Sequence, residues 1–344
     1  MAFSGKITAN GHVDLFNKLR SWLTDTPATA GRDWTVVRQD AQDFGTSVVL
    51  KNTGLSGTEQ VYIGLYAATH TDGVRGGLVC KVYKQFDGSP VATGGTSFFD
   101  THLGNDDGTS GESRPARTVS FVPCWNAAVK VWIWSSKGRV MLVVDCNGLY
   151  ASAYLGQLIR FSLPSENPWP LACLTDGFVC LGGGGGTPSW KYGSWHDTPT
   201  VAVTYGNADA DRRSILFVRR GCFPASAAYT GYQSCHQICR SDGVWTQQFV
   251  LVPTTAFTQI SEQTHVDSLL DNSGSGIFSV PPGTARVLLP VYVATLDGQV
   301  IGEMEGVRWC PDTLASAESL VGSYTVFPDV NRVEWHSFMA LGGE

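Results

Sequence analysis

The residue types best suited to chemistry are grouped at Cys235-His236-Gln237-Ile238-Cys239, with Cys222 upstream. Thiolate and imidazole are the ligands zinc prefers, and a loop-rich segment gains most from a metal staple. Cys222, Cys235, His236 and Cys239 are therefore the zinc candidates. Their spacing argues the other way, because a C-x3-C unit with one earlier cysteine lacks the paired C-x2-C of zinc modules. We read them as structural thiols and expect neither a metal nor another cofactor.

Other patterns are weaker. Asn207, Asp209 and Asp211 have the spacing that opens a calcium loop, but Arg212 and Val218 stand where that loop needs Gly and Glu. A solvated turn is the reading there. Glu303 and Glu305 alternate along one strand and resemble the acid pair of a glycosidase on paper. Such pairs face each other across a cleft from different strands, so two neighbours on one strand read as an exposed edge. Nucleophile elbows, H-E-x-x-H helices and dinucleotide fingerprints are absent from the sequence. No catalytic residue is assigned, and the chain is expected not to be an enzyme. Trp190, Tyr192 and Trp195 lie in a polar loop after the glycine run Gly182–Gly186. Aromatics there suit anchors at a subunit contact, with sugar stacking as the second reading.

The elements that would carry these residues follow from composition. Of 344 residues only 16% are charged and 43% are hydrophobic, with 39 glycines. Low charge with many aromatic and β-branched residues suits sheets and tight turns, not helical bundles. A neutral surface is also easily buried against other subunits. Net charge is −6 and no basic stripe is present, which argues against direct nucleic-acid binding. The opening residues Met1–Lys6 lack the apolar core of a signal peptide, and no apolar run is long enough for a membrane span. The nine cysteines are accordingly expected to be reduced thiols.

One segment has helical spacing. Val13, Phe16, Leu19 and Leu23 step by three and four residues, between Asn10-Gly11 and Asp25-Thr26-Pro27, and predict a helix over 12–23. Strands are predicted at 47–51 and 60–66 as a hairpin, at 78–86, and at 129–135 and 139–146 joined by Ser136-Lys137-Gly138. Further strands are predicted at 287–295, 300–307 and 324–327. The expected fold is mainly β, a β-sandwich or jelly-roll-like stack of antiparallel sheets with one N-terminal helix. The expected organisation is an N-terminal β-rich domain over 1–186, a loop-rich insertion or second domain over 187–276, and a C-terminal β segment over 277–344.

Four stretches resemble tail-associated structural proteins of contractile-tailed bacteriophages. Leu50 to Leu65, with its Gly54-Leu55-Ser56-Gly57-Thr58 turn, is similar to their first hairpin. Val131-Trp132-Ile133-Trp134 through Val140–Val144 resembles their aromatic and Val-rich strand pair. Tyr150-Ala151-Ser152-Ala153-Tyr154-Leu155-Gly156 looks like the segment that follows, leading into the Pro- and aromatic-rich turn and Gly-rich end of 164–186. Leu296-Asp297-Gly298, Glu305–Pro311 and Tyr324–Arg332 resemble their C-terminal strands. The chain departs from the pattern at Cys146-Asn147-Gly148 and at the Asp297-Gly298 pair. The resemblance implies a virion tail protein assembled in the host cytoplasm, a baseplate or fibre-attachment subunit. Its implied partners are other tail proteins and copies of itself. A receptor- or glycan-binding module at the tail tip, meeting a host surface glycan, and a collar protein are the alternatives.

Overall fold

The computed structural model describes residues 3–25, 33–42, 45–69, 75–86, 117–146, 149–175, 177–181, 188–189, 237–246, 249–252, 288–295, 298–310, 318, 320–328 and 338–342. In chain order the elements begin with β1 (Phe3–Asn10), α1 (Gly11–Thr24), β2 (Thr35–Gln42), β3 (Gly45–Thr53), β4 (Gln60–Thr69), β5 (Arg75–Tyr83) and β6 (Arg117–Trp125). They continue with β7 (Ala128–Ser136), β8 (Arg139–Cys146), β9 (Leu149–Gln157), β10 (Leu171–Thr175), β11 (Gly177–Leu181) and β12 (Pro188–Ser189). The last group is β13 (Gln237–Cys239), β14 (Trp245–Thr246), β15 (Phe249–Val252), β16 (Leu289–Thr295), β17 (Val300–Cys310), β18 (Leu320–Val321), β19 (Tyr324–Pro328) and β20 (Phe338–Gly342).

These strands make three antiparallel sheets. The central sheet runs β1-β7-β8-β9-β10-β13-β14, the second β12-β11-β6-β5-β4-β3-β2, and the third β15-β16-β17-β20-β19-β18. The central sheet is apolar on both faces, and the period of two along a strand assigns each side chain to one of them. Val131, Ile133, Val140, Leu142, Val144 and Leu155 share one core with Ile63, Leu65, Leu78 and Val82 of the second sheet. Trp132, Trp134, Met141, Val143 and Tyr154 share another with Val293, Ile301, Met304, Val307, Phe327 and Leu341 of the third. The fold is therefore mainly β, a three-layer sandwich with α1 as the one helix among the described residues. The unbroken apolar run of β8 has this double burial as its cause, since alternation is needed only where one face meets water.

Helix α1 closes one end of the core between the central and second sheets. Its buried face is His12, Leu15, Phe16, Leu19 and Leu23. Val13, expected in that stripe, is 49% exposed, and Leu15 and the polar-looking His12 take the inward positions. The first turn is held by Asp14, which accepts from the Asn10 N–H at 2.8 Å and pairs with Lys18 at 2.8 Å. Those two donors hold the Asp14 carboxyl below the usual carboxylate range, the Lys18 bond contributing most. No helix among the described residues is long and apolar enough to cross a membrane.

His12 bonds to Thr69 Oγ1 at 2.6 Å, and burial pushes its pKa from 6.5 down to about 4. The unfolded chain then binds a proton near pH 6.5 that the folded chain refuses until about pH 4. Stability from this group is complete above pH 6.5 and is lost as pH falls towards 4, by about 3 kcal/mol across the window. The expected result is a urea midpoint that drops less between pH 7 and pH 4.5 in His12→Gln than in the wild-type chain. Equal drops in the two proteins would show that His12 does not drive acid sensitivity.

Candidate functional site

The polar side chains that the fold brings together lie at the margins of its two cores. Strand β8 carries Arg139, Met141, Val143 and Asp145 on the face turned to the third sheet, so a cation and an anion bracket an apolar centre. The register sets this arrangement: Ser136 pairs with Arg139 in the β7–β8 hairpin, which puts Lys130 opposite Asp145, and Asp145 is opposite Tyr150 on β9. Thr8 of β1 pairs with Lys130, and Lys6 with Trp132, completing two adjacent rows.

At this first margin Lys130 Nζ lies 3.4 Å from the buried Asp145 carboxylate and 3.9 Å from Glu318. The Tyr150 hydroxyl donates to Glu318 Oε1 at 3.0 Å, and Lys6 lies 3.8 Å from the other Glu318 oxygen. Lys6 also stands 4.6 Å over the Trp132 ring, a cation–π contact. Burial and then the hydrogen bond to Glu318 push the Tyr150 phenol well up, so it stays a proton donor at neutral pH. Glu318 has φ of +61°, a conformation uncommon for a residue with a side chain, and its N–H donates to Val326 O at 2.8 Å. That backbone bend aims the carboxylate at the two lysines and the tyrosine.

The opposite margin holds Arg139, 2% exposed, in an ion pair with Glu305 of β17. Between Pro290 and Tyr292 of β16 the register on β17 jumps from Arg308 to Glu303, so residues 304–307 form a wide bulge. Gly306 sits in the bulge at φ +82°, where an added Cβ would press on Met141 and the Gly342 carbonyl. The bulge re-aims Glu305 towards Arg139, while Glu303 pairs with Arg308 at 2.9 Å. The expectation of an exposed edge for these two glutamates is thus corrected. Strand β17 is interior to its sheet, flanked by β16 and β20, and each acid meets a guanidinium.

A third cluster ties the second sheet to the same end. Glu59, from the β3–β4 turn, is ion-paired with Arg160 and accepts from Gln157 Nε2 at 2.7 Å. Gln157 Oε1 accepts from the Leu55 N–H at 2.8 Å, and Tyr154 donates its hydroxyl to the Gln157 carbonyl at 2.8 Å. Arg160 donates to the Asn167 carbonyl at 2.9 Å, and Ile159 bridges main chain to main chain with Glu303. Burial lowers the Arg160 pKa from its ordinary value and raises the Tyr154 phenol to about 12. No protein-family model matches the chain, and no curated protein sequence matches it.

Of the zinc and aromatic-anchor candidates singled out from sequence, Cys239 is described: it lies on β13 in the core between the central and second sheets, its thiol facing the Arg240 carbonyl at 3.6 Å. Burial pushes that thiol up to about 12. Cys222, Cys235, His236, Trp190, Tyr192, Trp195, the Gly182–Gly186 run and the Asn207–Asp211 turn lie outside the described residues. The residues sequence reasoning missed are Lys6, Lys130, Asp145, Tyr150 and Glu318. Hairpin register alone could have set Lys130 against Asp145, because the Ser136–Gly138 turn fixes every pair above it. Glu318 carries no such signal, being distant in sequence.

Proposed function

We propose that the chain is a structural subunit of a bacteriophage tail, at the baseplate or a fibre attachment, that works through protein–protein contacts and not by catalysis. The observation that carries this reading is how the acids are used: Glu59, Glu303 and Glu305 are each matched to an arginine, and Glu318 to two lysines, in pairs that mostly tie one sheet to another. Chemistry-bearing side chains engaged this way give cohesion, which suits a part that must stay rigid inside an assembly. Exposed apolar side chains add support. Phe161, Leu163, Val300 and Leu320 are each at least half exposed, and Phe161 packs on Tyr292 of β16 with ring centroids 5.7 Å apart. Side chains of this kind contribute most when covered by a partner.

The test is to purify the particle that carries this chain and locate it in a cryo-EM map. The expected result is density for the three-layer body at the baseplate or a fibre joint, in several copies. Trp190→Ala and Trp195→Ala should lower incorporation, by roughly thirtyfold in affinity for a hot-spot aromatic. Normal assembly of both variants with loss of adsorption to host cells would replace this reading with receptor binding. Hydrolysis of cell-wall or capsule polysaccharide by the pure chain would replace it with an enzyme.

A further inference from the structure

One ion pair of the third sheet ties no two elements together. Glu59–Arg160, Glu305–Arg139 and the Glu318 cluster each join different strands or turns, whereas Glu303 and Arg308 both belong to β17. They are five residues apart, a spacing that alternation alone would put on opposite faces. The bulge at 304–307 brings them to the same one. Tyr292 is the cross-strand partner of Glu303, and Pro290 that of Arg308. Val291, between those two partners, lies in the core shared with the central sheet, so Pro290, Tyr292, Glu303 and Arg308 are on the outer face.

Aromatic rings flank this pair. Ile159 is bridged main chain to main chain with Glu303. Two residues on, Phe161 is 58% exposed, and its ring meets that of Tyr292 with centroids 5.7 Å apart and planes tilted by 57°. The Arg308 guanidinium in turn stands 5.6 Å from the centre of the Tyr324 ring. The hydrogen-bonding capacity of the pair is only partly used. Arg308 Nη1 donates to Glu303 Oε1 at 2.9 Å and to the Val307 carbonyl at 3.1 Å. Glu303 Oε2 and the Arg308 Nε and Nη2 have no hydrogen-bond partner among the described residues, and both side chains reach water, 18% and 17% exposed.

We propose that this face binds a neutral pyranose sugar, stacked on Phe161 and held by Glu303 and Arg308. A pyranose has an apolar face of C–H groups and a rim of hydroxyls. The C–H groups lie against the electron-rich face of the exposed aromatic ring. One rim hydroxyl donates to Glu303 Oε2, and its neighbour accepts from the unused edge of the Arg308 guanidinium. A few polar groups fixed beside apolar surface set orientation in a small-molecule site. Rings alone would suit a protein partner equally well; an unused acceptor and donor side by side are what favour adjacent hydroxyls. Charge sets the class of sugar. Glu303 already neutralises the guanidinium, so the carboxylate of a uronic or sialic acid would meet a like charge with no spare cation to hold it. This site goes beyond the assembly reading and does not need it.

The experiment is saturation-transfer NMR on the purified full-length chain with maltotriose, cellotriose and N-acetylchitotriose, and with trigalacturonic acid as the charged control. At least one neutral trisaccharide is expected to receive saturation on its ring C–H protons, and the charged one none. Phe161→Ala should weaken that binding about tenfold, while Phe161→Trp should keep or strengthen it. Arg308→Lys keeps a charge beside Glu303 but loses the planar fork, and should weaken binding as well. Because Phe161 is exposed, its variants should fold normally, and they test the site even where Arg308→Lys does not fold. Saturation of none of the neutral sugars would overturn the proposal. So would binding that Phe161→Ala leaves unchanged, or a preference for trigalacturonic acid. Loss of Phe161→Ala from particles, with no sugar bound by the wild-type chain, would make this face a subunit contact instead.

Discussion

Replacing Phe327 with alanine is expected to lower stability by about 4 kcal/mol and to loosen the third sheet from the central one. Phe327 is fully buried on β19, and its ring meets Trp132 at 5.2 Å, Trp134 at 6.0 Å and Tyr150 at 5.9 Å, each edge-on. Edge-to-face rings add about 0.5–1.5 kcal/mol per pair beyond the area they bury. Truncation would remove the three contacts together and leave a cavity between two sheets that cannot collapse independently. Phe327→Leu should cost less than half as much, because it keeps most of the volume and loses only the ring geometry. Urea unfolding followed by tryptophan fluorescence reads both changes, since Trp132 and Trp134 are the rings exposed. A Phe327→Ala loss under 1 kcal/mol would mean that the third sheet is held from elsewhere.

The sandwich was legible where strands repeat strongly, and not where burial depends on a neighbour. The β7–β8 hairpin could be read almost to its ends, because two apolar runs flank a short glycine-containing turn. Both runs lack alternation, which is the mark of a strand covered on two faces. Strand β1, with the sequence FSGKITAN, gave no such signal: it is a sheet edge on which exposed Lys6 and Thr8 alternate with partly covered Gly5 and Ile7. Phe16, Leu19 and Leu23 of α1 face inward as their spacing predicts, but the first inward position is His12 and not Val13, because a residue that counts as polar is here buried, bonded to Thr69 and pushed towards neutrality. Cys146-Asn147-Gly148 stands as a departure from the tail-protein pattern in the sequence, but Cys146 keeps its place in the β8–β9 ladder, paired with Leu149. Glu305 could not be placed at all. Its position depends on a bulge, and nothing in the spacing of Glu303 and Glu305 records that the strand between them and Arg308 gains residues over its partner.

That same bulge gives the second large effect, an asymmetric one. Glu305→Ala should destabilise the chain by about 3 kcal/mol, whereas Arg139→Met should cost about 1 kcal/mol or less. Arg139 is 2% exposed and Glu305 is 40% exposed. Removing the acid leaves a guanidinium buried between sheets without its charge partner, and an uncompensated buried charge is the costly case. Removing the base leaves a carboxylate that water already reaches, and methionine fills the space of the arginine stem beside Tyr154. The double variant should then match Arg139→Met and not the sum of the two, giving a coupling of about 3 kcal/mol in a double-mutant cycle. Salt separates this pair from a surface one. Raising sodium chloride from 0.1 to 1 M weakens exposed ion pairs through screening, but the Glu305→Ala loss should persist because Arg139 lies away from the ions. Equal costs for the two single variants, or a loss that vanishes in high salt, would show that the pair behaves as a surface contact and that the bulge at Gly306 serves the main chain alone.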